Sequence, residues 1–435
     1  MATKRYIYRA YPTAGQHQAL SRLFGCCRVV ANDFLAERER LYRAGEHKRV
    51  SFDETARLVT TIAKQTPERA FLAEVSAVPL QQAVRDMVRA YTNFFASLTV
   101  TKTRRKVGRP RFKKRTHRQT ARFTRNAKFK IRTAEGCKWG WVRLPGVGEV
   151  KLRSTRPLPS TPTSVTVIRE PDGTDWVSFV VDAPTDVHTH EPQAARTAGL
   201  DAGVGNDLLA ITYSDGTREK VVNPRHLRAR ARKLKRLQRA LSRKNTGSAN
   251  QERQRMRVAR AHRNIRDARM DHHRKLAHRL VAANSIIAIE TLSLAGLGRT
   301  RLAKSVHDAG IGLLYRLIAE MAETQGRTVL KAGRWEPTTQ TCSVCGTLGG
   351  RKPLSVREWT CQECGLRLDR DYNAAANVMV AAGLAETLNA CGPDIRRMLA
   401  CADGDEAGTR RTDPDRCPGR VGVSVNHDGE DVNSG

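Results

Sequence analysis

Acids are scarce in this 435-residue chain, with 43 Asp and Glu against 77 Lys and Arg. A carboxylate set among apolar residues therefore needs a reason, and three stand out. Asp201 lies in Thr197-Ala-Gly-Leu-Asp201-Ala-Gly-Val-Gly, ahead of an apolar run at 208–213 and a Ser214-Asp-Gly216 turn. Glu290 ends the short buried-type segment Ser285-Ile-Ile-Ala-Ile289, and Asp371 opens Asp-Tyr-Asn-Ala-Ala-Ala-Asn. An acid beside apolar strand residues is costly unless it is paired or bound to a metal. Singly, each has a plain explanation: Asp201 could bond turn amides, Glu290 could pair with an arginine, and Asp371 suits a helix N-cap.

Taken together, the three acids fit the order of an RNase H-like nuclease fold. That fold carries Asp on the first strand of a meander, an acid at the end of a later parallel strand, and Asp on the final helix. Three carboxylates so placed hold two Mg²⁺ ions, which activate a water and stabilise the leaving oxygen of a phosphodiester. No Ser/His/Asp or Cys/His arrangement competes, and no Gly-rich phosphate loop precedes a helix.

Four of the ten cysteines form the strongest local motif. Cys342-Ser-Val-Cys345 and Cys361-Gln-Glu-Cys364 are two CxxC knuckles, each followed by glycine, Gly346 and Gly365. Four thiolates converge on one tetrahedral ion, and the glycines permit the tight turn around it. With all four positions filled by cysteine, the expected Zn²⁺ is structural. Cys26 and Cys27 read as small core residues on a helix, and Cys391, Cys401 and Cys417 as free thiols.

These groups need elements to position them. A short strand at 6–10 precedes a helix opened by Pro12-Thr13 and running to about Ala44, with Leu20, Leu23, Phe24, Cys27, Val30, Phe34 and Leu35 on one face. Helices fit 52–65 and 79–98. From 139 to 182 the period becomes strand-like, in runs separated by Gly and Pro turns. A small barrel with the helical block inserted into it accommodates these segments. Residues 183–196 read as a linker, and the chain beyond 390 is poor in apolar residues and expected to be disordered.

The net charge of +34 implies a polyanionic partner, and nucleic acid is the default one. Fifteen Lys/Arg and no acid fall between Lys102 and Arg132, interspersed with Phe112, Phe123 and Phe129. Guanidinium groups beside aromatics suit phosphates and base faces. Arg104, Arg105, Arg109, Arg111, Phe112 and Lys113 are the candidates here. A second block, Arg225–Arg279, holds twenty Lys/Arg against three acids, half of the chain's excess. It predicts two long helices with a narrow leucine stripe, a turn near Asn245–Gly247 and a broad basic face that includes Arg232, Lys235, Arg236 and Arg239. No apolar run reaches a membrane span and the start lacks a signal-peptide core, so a soluble, intracellular nucleic-acid binder is expected.

The order Gly199-Leu-Asp201-Ala-Gly-Val-Gly, Ile287-Ala-Ile-Glu290-Thr-Leu, Pro337-Thr-Thr-Gln-Thr-Cys342 and Asp369-Arg-Asp371-Tyr-Asn-Ala-Ala resembles the TnpB family of transposon-encoded RNA-guided nucleases, relatives of the type V CRISPR effectors. The opening Tyr11-Pro12-Thr13 to Asn32, Gly108-Arg-Pro-Arg-Phe112-Lys113 and Leu144-Pro-Gly-Val-Gly resemble that family too. The resemblance implies an α+β multidomain chain. Its parts would be a β-barrel wedge domain (1–13 and 103–185), a helical recognition domain (14–102), a linker (186–196), a RuvC-like nuclease domain (197–336 and 368–390), an inserted zinc ribbon (337–367) and a tail (391–435). It also implies a guide RNA and target double-stranded DNA as partners, a short target-adjacent DNA motif, and Asp371 rather than Asp369 as the third metal ligand. A compact type V effector would share these motifs. An RNA-guided repressor that binds without cutting, or an unguided junction-type nuclease, would share some of them.

Overall fold

A computed structural model describes residues 2–47, 49–99, 107–133, 137–183, 196–353 and 355–384. Arg104, Arg105, nearly all of the expected linker and the 391–435 tail with its three cysteines lie outside them.

Strand β1 (Ala2–Tyr11) leads through Thr13 into helix α1 (Ala14–Arg43). The Thr13 hydroxyl accepts from the Gln16 amide while the Gln16 side chain returns to the Thr13 N–H, so the helix starts where the sequence predicts. Helix α2 (Phe52–Arg57) continues through wider and tighter turns to Gln65, and α3 (Ala77–Thr99) follows. The next strands are β2 (Gln119–Thr124), β3 (Lys130–Arg132), β4 (Trp139–Leu144), β5 (Gly148–Arg153), β6 (Ser164–Arg169) and β7 (Asp175–Ala183).

These strands form one sheet in the order β2-β6-β7-β1-β5-β4-β3. The expected closed barrel is not formed by hydrogen bonding: β2 and β3 are the two ends of the order and do not pair. The bend is made at β1, which pairs with β7 over residues 2–9 and with β5 at Ala10 and Tyr11. Leu20, Phe24, Phe34 and Leu80 from the helices share a single core with Phe123, Val142, Val167 and Phe179 from the strands. Phe123 is fully buried in it and Phe129 packs against it, so these two serve the core and not a nucleic-acid face.

The second half begins with the meander β8 (Thr197–Ala202), β9 (Asp207–Tyr213) and β10 (Arg218–Val222). Two basic helices follow, α4 (His226–Ser242) and α5 (Ala249–Ala283), as the leucine stripe predicts. Strand β11 (Ile286–Glu290), short helices α6 (Leu294–Leu297) and α7 (Ala303–Ala309), helix α8 (Ile311–Thr324) and β12 (Thr328–Ala332) come next. A two-stranded ribbon, β13 (Glu358–Thr360) and β14 (Arg367–Asp369), precedes α9 (Arg370–Met379). The sheet order is β10-β9-β8-β11-β12: the first three strands are antiparallel, and β11 runs parallel to both β8 and β12. The core on one face joins β8, β9 and β11 to α5 and α8, while α9 packs across the strands on the other.

Helix α4 has no local cap and starts at Arg225 in the left-handed region. The buried carboxylate of Asp308 on α7 takes that role, accepting from the Leu227 amide at 2.7 Å and the Arg228 amide at 3.0 Å. Helix α5 also reaches the first core. Arg263 forms a 2.6 Å ion pair with buried Asp172 and donates to Thr174 at 2.7 Å.

Candidate active site

The two candidate strand acids are placed by register. Ile289 pairs with Leu200 in the parallel β8–β11 ladder, so one residue further puts Glu290 beside Asp201, on strands about 4.8 Å apart. The third acid is placed by a close approach. Gly199 and Asp201, two apart on β8, share a face of the strand. A side chain at 199 would put its Cβ 2.1 Å from the Ala375 carbonyl oxygen and 2.6 Å from Met379 Cγ. Only glycine lets α9 lie this close, and Asp371 stands one helical turn before Ala375. The three elements thus bring Asp201, Glu290 and Asp371 to one end of the sheet.

Burial pushes the Asp201 carboxyl up to about 8, and the charges of Glu290 and Asp371 add to the effect while Arg370 opposes it. Burial also raises Glu290. Buried acids whose ionisation is opposed favour a bound cation, because a divalent ion supplies the missing countercharge. Among the described residues Glu290 has no ion-pair partner, which removes the arginine explanation for it. The cap explanation for Asp371 fails as well: Asp369 is the N-cap, accepting from the amides of Asp371 and Tyr372 at 2.9 and 3.0 Å. Asp371 instead lies 3.4 Å from Arg357 Nη1 and 3.8 Å from Lys220 Nζ, while Lys220 bonds Asp369 at 2.6 Å. The three carboxylates do not all close to within 4.8 Å of one another, as four sulfurs nearby do.

Two groups at this site escape sequence reasoning. Lys220 on β10 has no distinguishing context in the chain. Tyr315 on α8 has a buried hydroxyl without a hydrogen-bond partner. Its ionisation is pushed well up by burial and by the charges of Asp201 and Glu290. The one signal for it in the sequence is a polar tip within the apolar run Ile311–Ile318.

Cys342, Cys345, Cys361 and Cys364 converge as expected, their sulfurs all within 4.8 Å. Cys342–Cys364 and Cys345–Cys361 are 3.8 and 3.6 Å apart. Sulfurs about 2.3 Å from a central tetrahedral Zn²⁺ would be about 3.8 Å from each other, so the cluster fits zinc. Gly346 and Gly365 have φ of +78° and +73°, which explains the glycine after each knuckle. The cluster is tied to α9: Asn373 and Asn377 donate to the carbonyls of Thr338 and Thr341, and Asn373 accepts from the Ser343 amide at 2.8 Å.

The basic candidates lie on exposed surfaces. Arg111, Phe112 and Lys113 line a cavity of about 580 Å³ together with Arg28, Lys114 and Arg118. Its backbone is held from α1, where Asn32 accepts from the Lys113 amide at 2.7 Å and donates to its carbonyl at 3.1 Å. Arg109 faces Glu39 at 3.4 Å. Arg232, Lys235, Arg236 and Arg239 are exposed along α4 and have no ion-pair partner among the described residues. No described helix is long and apolar enough to cross a membrane.

The fold is thus a mixed α/β assembly of the kind seen in Cas12f effectors. Over 87% of its length, and 98% of the other's, the chain superposes on a Cas12f1 protein solved with its sgRNA and target DNA, at a TM-score of 0.53 and 13% identity. Sequence comparison narrows this to a family. Residues 178–301 match the family OrfB_IS605, described as "Probable transposase", and residues 312–378 match a Cas12f1-like TNB domain. Residues 1–47 match a helix-turn-helix domain of the same OrfB family, although here they form one strand and one unbroken helix of 30 residues. A Streptomyces pristinaespiralis protein named "Putative RNA-guided DNA endonuclease" is 40% identical over 90% of this chain and 92% of its own. InsQ of Escherichia coli K12, which bears the same description, is 29% identical over 90% of this chain and 94% of its own. The chain belongs to the TnpB family.

Proposed function

We propose that this chain is an RNA-guided DNA endonuclease that cuts with a single RuvC-like site. The observation that carries the reading is the Gly199–Ala375 approach, which sets Asp371 opposite the Asp201–Glu290 pair. The β10-β9-β8-β11-β12 order with α9 across it supports an RNase H-like nuclease domain. The relatives' names support guide RNA and target DNA as partners, and the exposed arginines of α4 offer phosphate contacts to a duplex.

Asp201, Glu290 and Asp371 would hold two Mg²⁺ ions, which would supply an activated water and charge stabilisation at the leaving oxygen. Arg357 and Lys220 hold Asp371 in place and neutralise it in the meantime. The buried Tyr315 hydroxyl, within reach of the charges of Asp201 and Glu290, stays protonated. The cysteine cluster, as a zinc ribbon, braces α9 through Asn373 and Asn377. The first seven strands act as the wedge and α1–α3 as the recognition helices.

The test is cleavage of plasmid DNA in Mg²⁺ by protein purified with its RNA, that RNA being sequenced. Asp201→Ala, Glu290→Gln and Asp371→Ala are expected to lower cleavage by more than about 100-fold while target binding stays intact. A wild type that binds target and never cuts would be an RNA-guided binding protein. Cleavage with no RNA present would make it an unguided nuclease.

A further inference from the structure

Trp335 is 85% exposed, the most exposed large hydrophobic side chain among the described residues. Its environment is built and not a fraying loop. Residue 332, three positions earlier, is the register partner of Glu290, and the Ala332 carbonyl accepts from the Thr291 hydroxyl at 2.7 Å. Three positions later, the buried Thr338 gives its carbonyl to Asn373 and Asn377 of α9, the helix that begins with Asp371. Between these anchors the Glu336 amide bonds back to the Gly333 carbonyl, and Pro337 stiffens the exit. The turn that presents Trp335 is thus tied on one side to the strand of Glu290 and on the other to the helix of Asp371. The Arg334 guanidinium lies 4.9 Å from the indole centroid, which leaves the ring with a cation beside it.

We propose that Trp335, with Arg334, is a base-stacking platform that seats the single strand entering the carboxylate site. An indole stacks on any base, whatever the sequence, and an adjacent guanidinium takes the neighbouring phosphate. A wet tryptophan on a turn anchored to the strand of Glu290 and the helix of Asp371 serves this end: the acids repel phosphates until cations bind, and stacking supplies an uncharged hold on the strand. The assignment rests on the nuclease reading for the identity of the site, and adds Trp335 and Arg334 as positioning residues for its substrate.

The test uses the full chain with its bound RNA in buffer without added divalent ions or chelator, so that nothing is cut and the cysteine-bound zinc is kept. Probes are single-stranded oligodeoxynucleotides containing 2-aminopurine, and matched strands with abasic positions. Wild type should quench the 2-aminopurine and prefer the base-containing strand. Trp335→Ala should lose the quench and bind that strand about 5- to 150-fold more weakly, with the abasic strand unaffected. Trp335→Phe should restore most of both, and the melting midpoint should not move because the ring is already exposed. If Trp335→Ala still quenches, or still separates base from abasic strand as wild type does, the platform is refuted. Cleavage by wild type in Mg²⁺, run alongside, decides the nuclease reading separately: a protein that stacks but never cuts sinks that reading and leaves the platform standing.

Discussion

Asp369 and Asp371 stand two residues apart and do different work. Asp369 satisfies two free amides at the start of α9, and losing such a cap costs about 1 kcal/mol. Asp369→Ala should therefore lower the melting midpoint by a few degrees and leave measurable cleavage, whereas Asp371→Ala should abolish cleavage with little change in melting. Comparing melting and plasmid nicking for the pair checks both halves. His273 gives a second residue-level expectation. It is 1% exposed, meets the Ala309 carbonyl at 2.9 Å, and burial holds it down to about 4 from an ordinary 6.5. The unfolded chain binds this proton and the folded chain does not, so stability is full above pH 6.5 and falls as pH drops toward 4. The loss is at most about 3 kcal/mol; urea midpoints between pH 7 and 4.5 should fall less steeply for His273→Asn. The acids and cysteines were readable from the chain because their chemistry clashes with their neighbours in sequence. Lys220 and Tyr315 were not, because what distinguishes them is their nearness to acids on other elements, Asp369 and Asp371 for the lysine and Asp201 and Glu290 for the tyrosine.

At the level of elements, helix α9 depends on a position with no side chain. With a Cβ 2.1 Å from a backbone oxygen, Gly199→Ala must push α9 off the sheet. Overpacking of this kind costs about 3 kcal/mol or somewhat more, and it moves Asp371 from Asp201. A sharp fall in both melting midpoint and cleavage is expected, against a Gly205→Ala control where a Cβ meets open space. The boundaries of α1 and of the α4–α5 hairpin follow from local signals, a Thr-x-x-Gln box and a leucine stripe. The start of α4 does not, since its cap is Asp308, eighty residues later. The strands at 197–202, 208–213, 285–290 and 328–331 were legible as apolar runs, but their order in the sheet, and the open edge between β2 and β3, were not, since both depend on pairings between distant segments.

For the whole molecule, α5 is the beam between the two halves, and its Arg263–Asp172 ion pair is nearly dry, with Asp172 1% exposed. Removing one partner of such a pair costs about 3–5 kcal/mol, while replacing both with apolar groups is often neutral. Arg263→Ala should thus lower the urea midpoint strongly, and Arg263→Met with Asp172→Leu should recover most of it. This same helix carries ten Lys and Arg against three acids, so weakening its anchor should also reduce target binding.

The place of β1 has a consequence in time. Strand β1 is an inner strand of its sheet, flanked by β5 and β7, and its main partner, far later in the chain, ends at residue 183. At ordinary synthesis rates of about 5–20 residues per second, β1 waits about 10–35 s before that partner follows it out of the ribosome. Through that interval β1 has two unsatisfied edges. Lys4, Arg5 and Arg9 lie along it, and charge on an unpaired strand is what keeps nascent copies from pairing with one another.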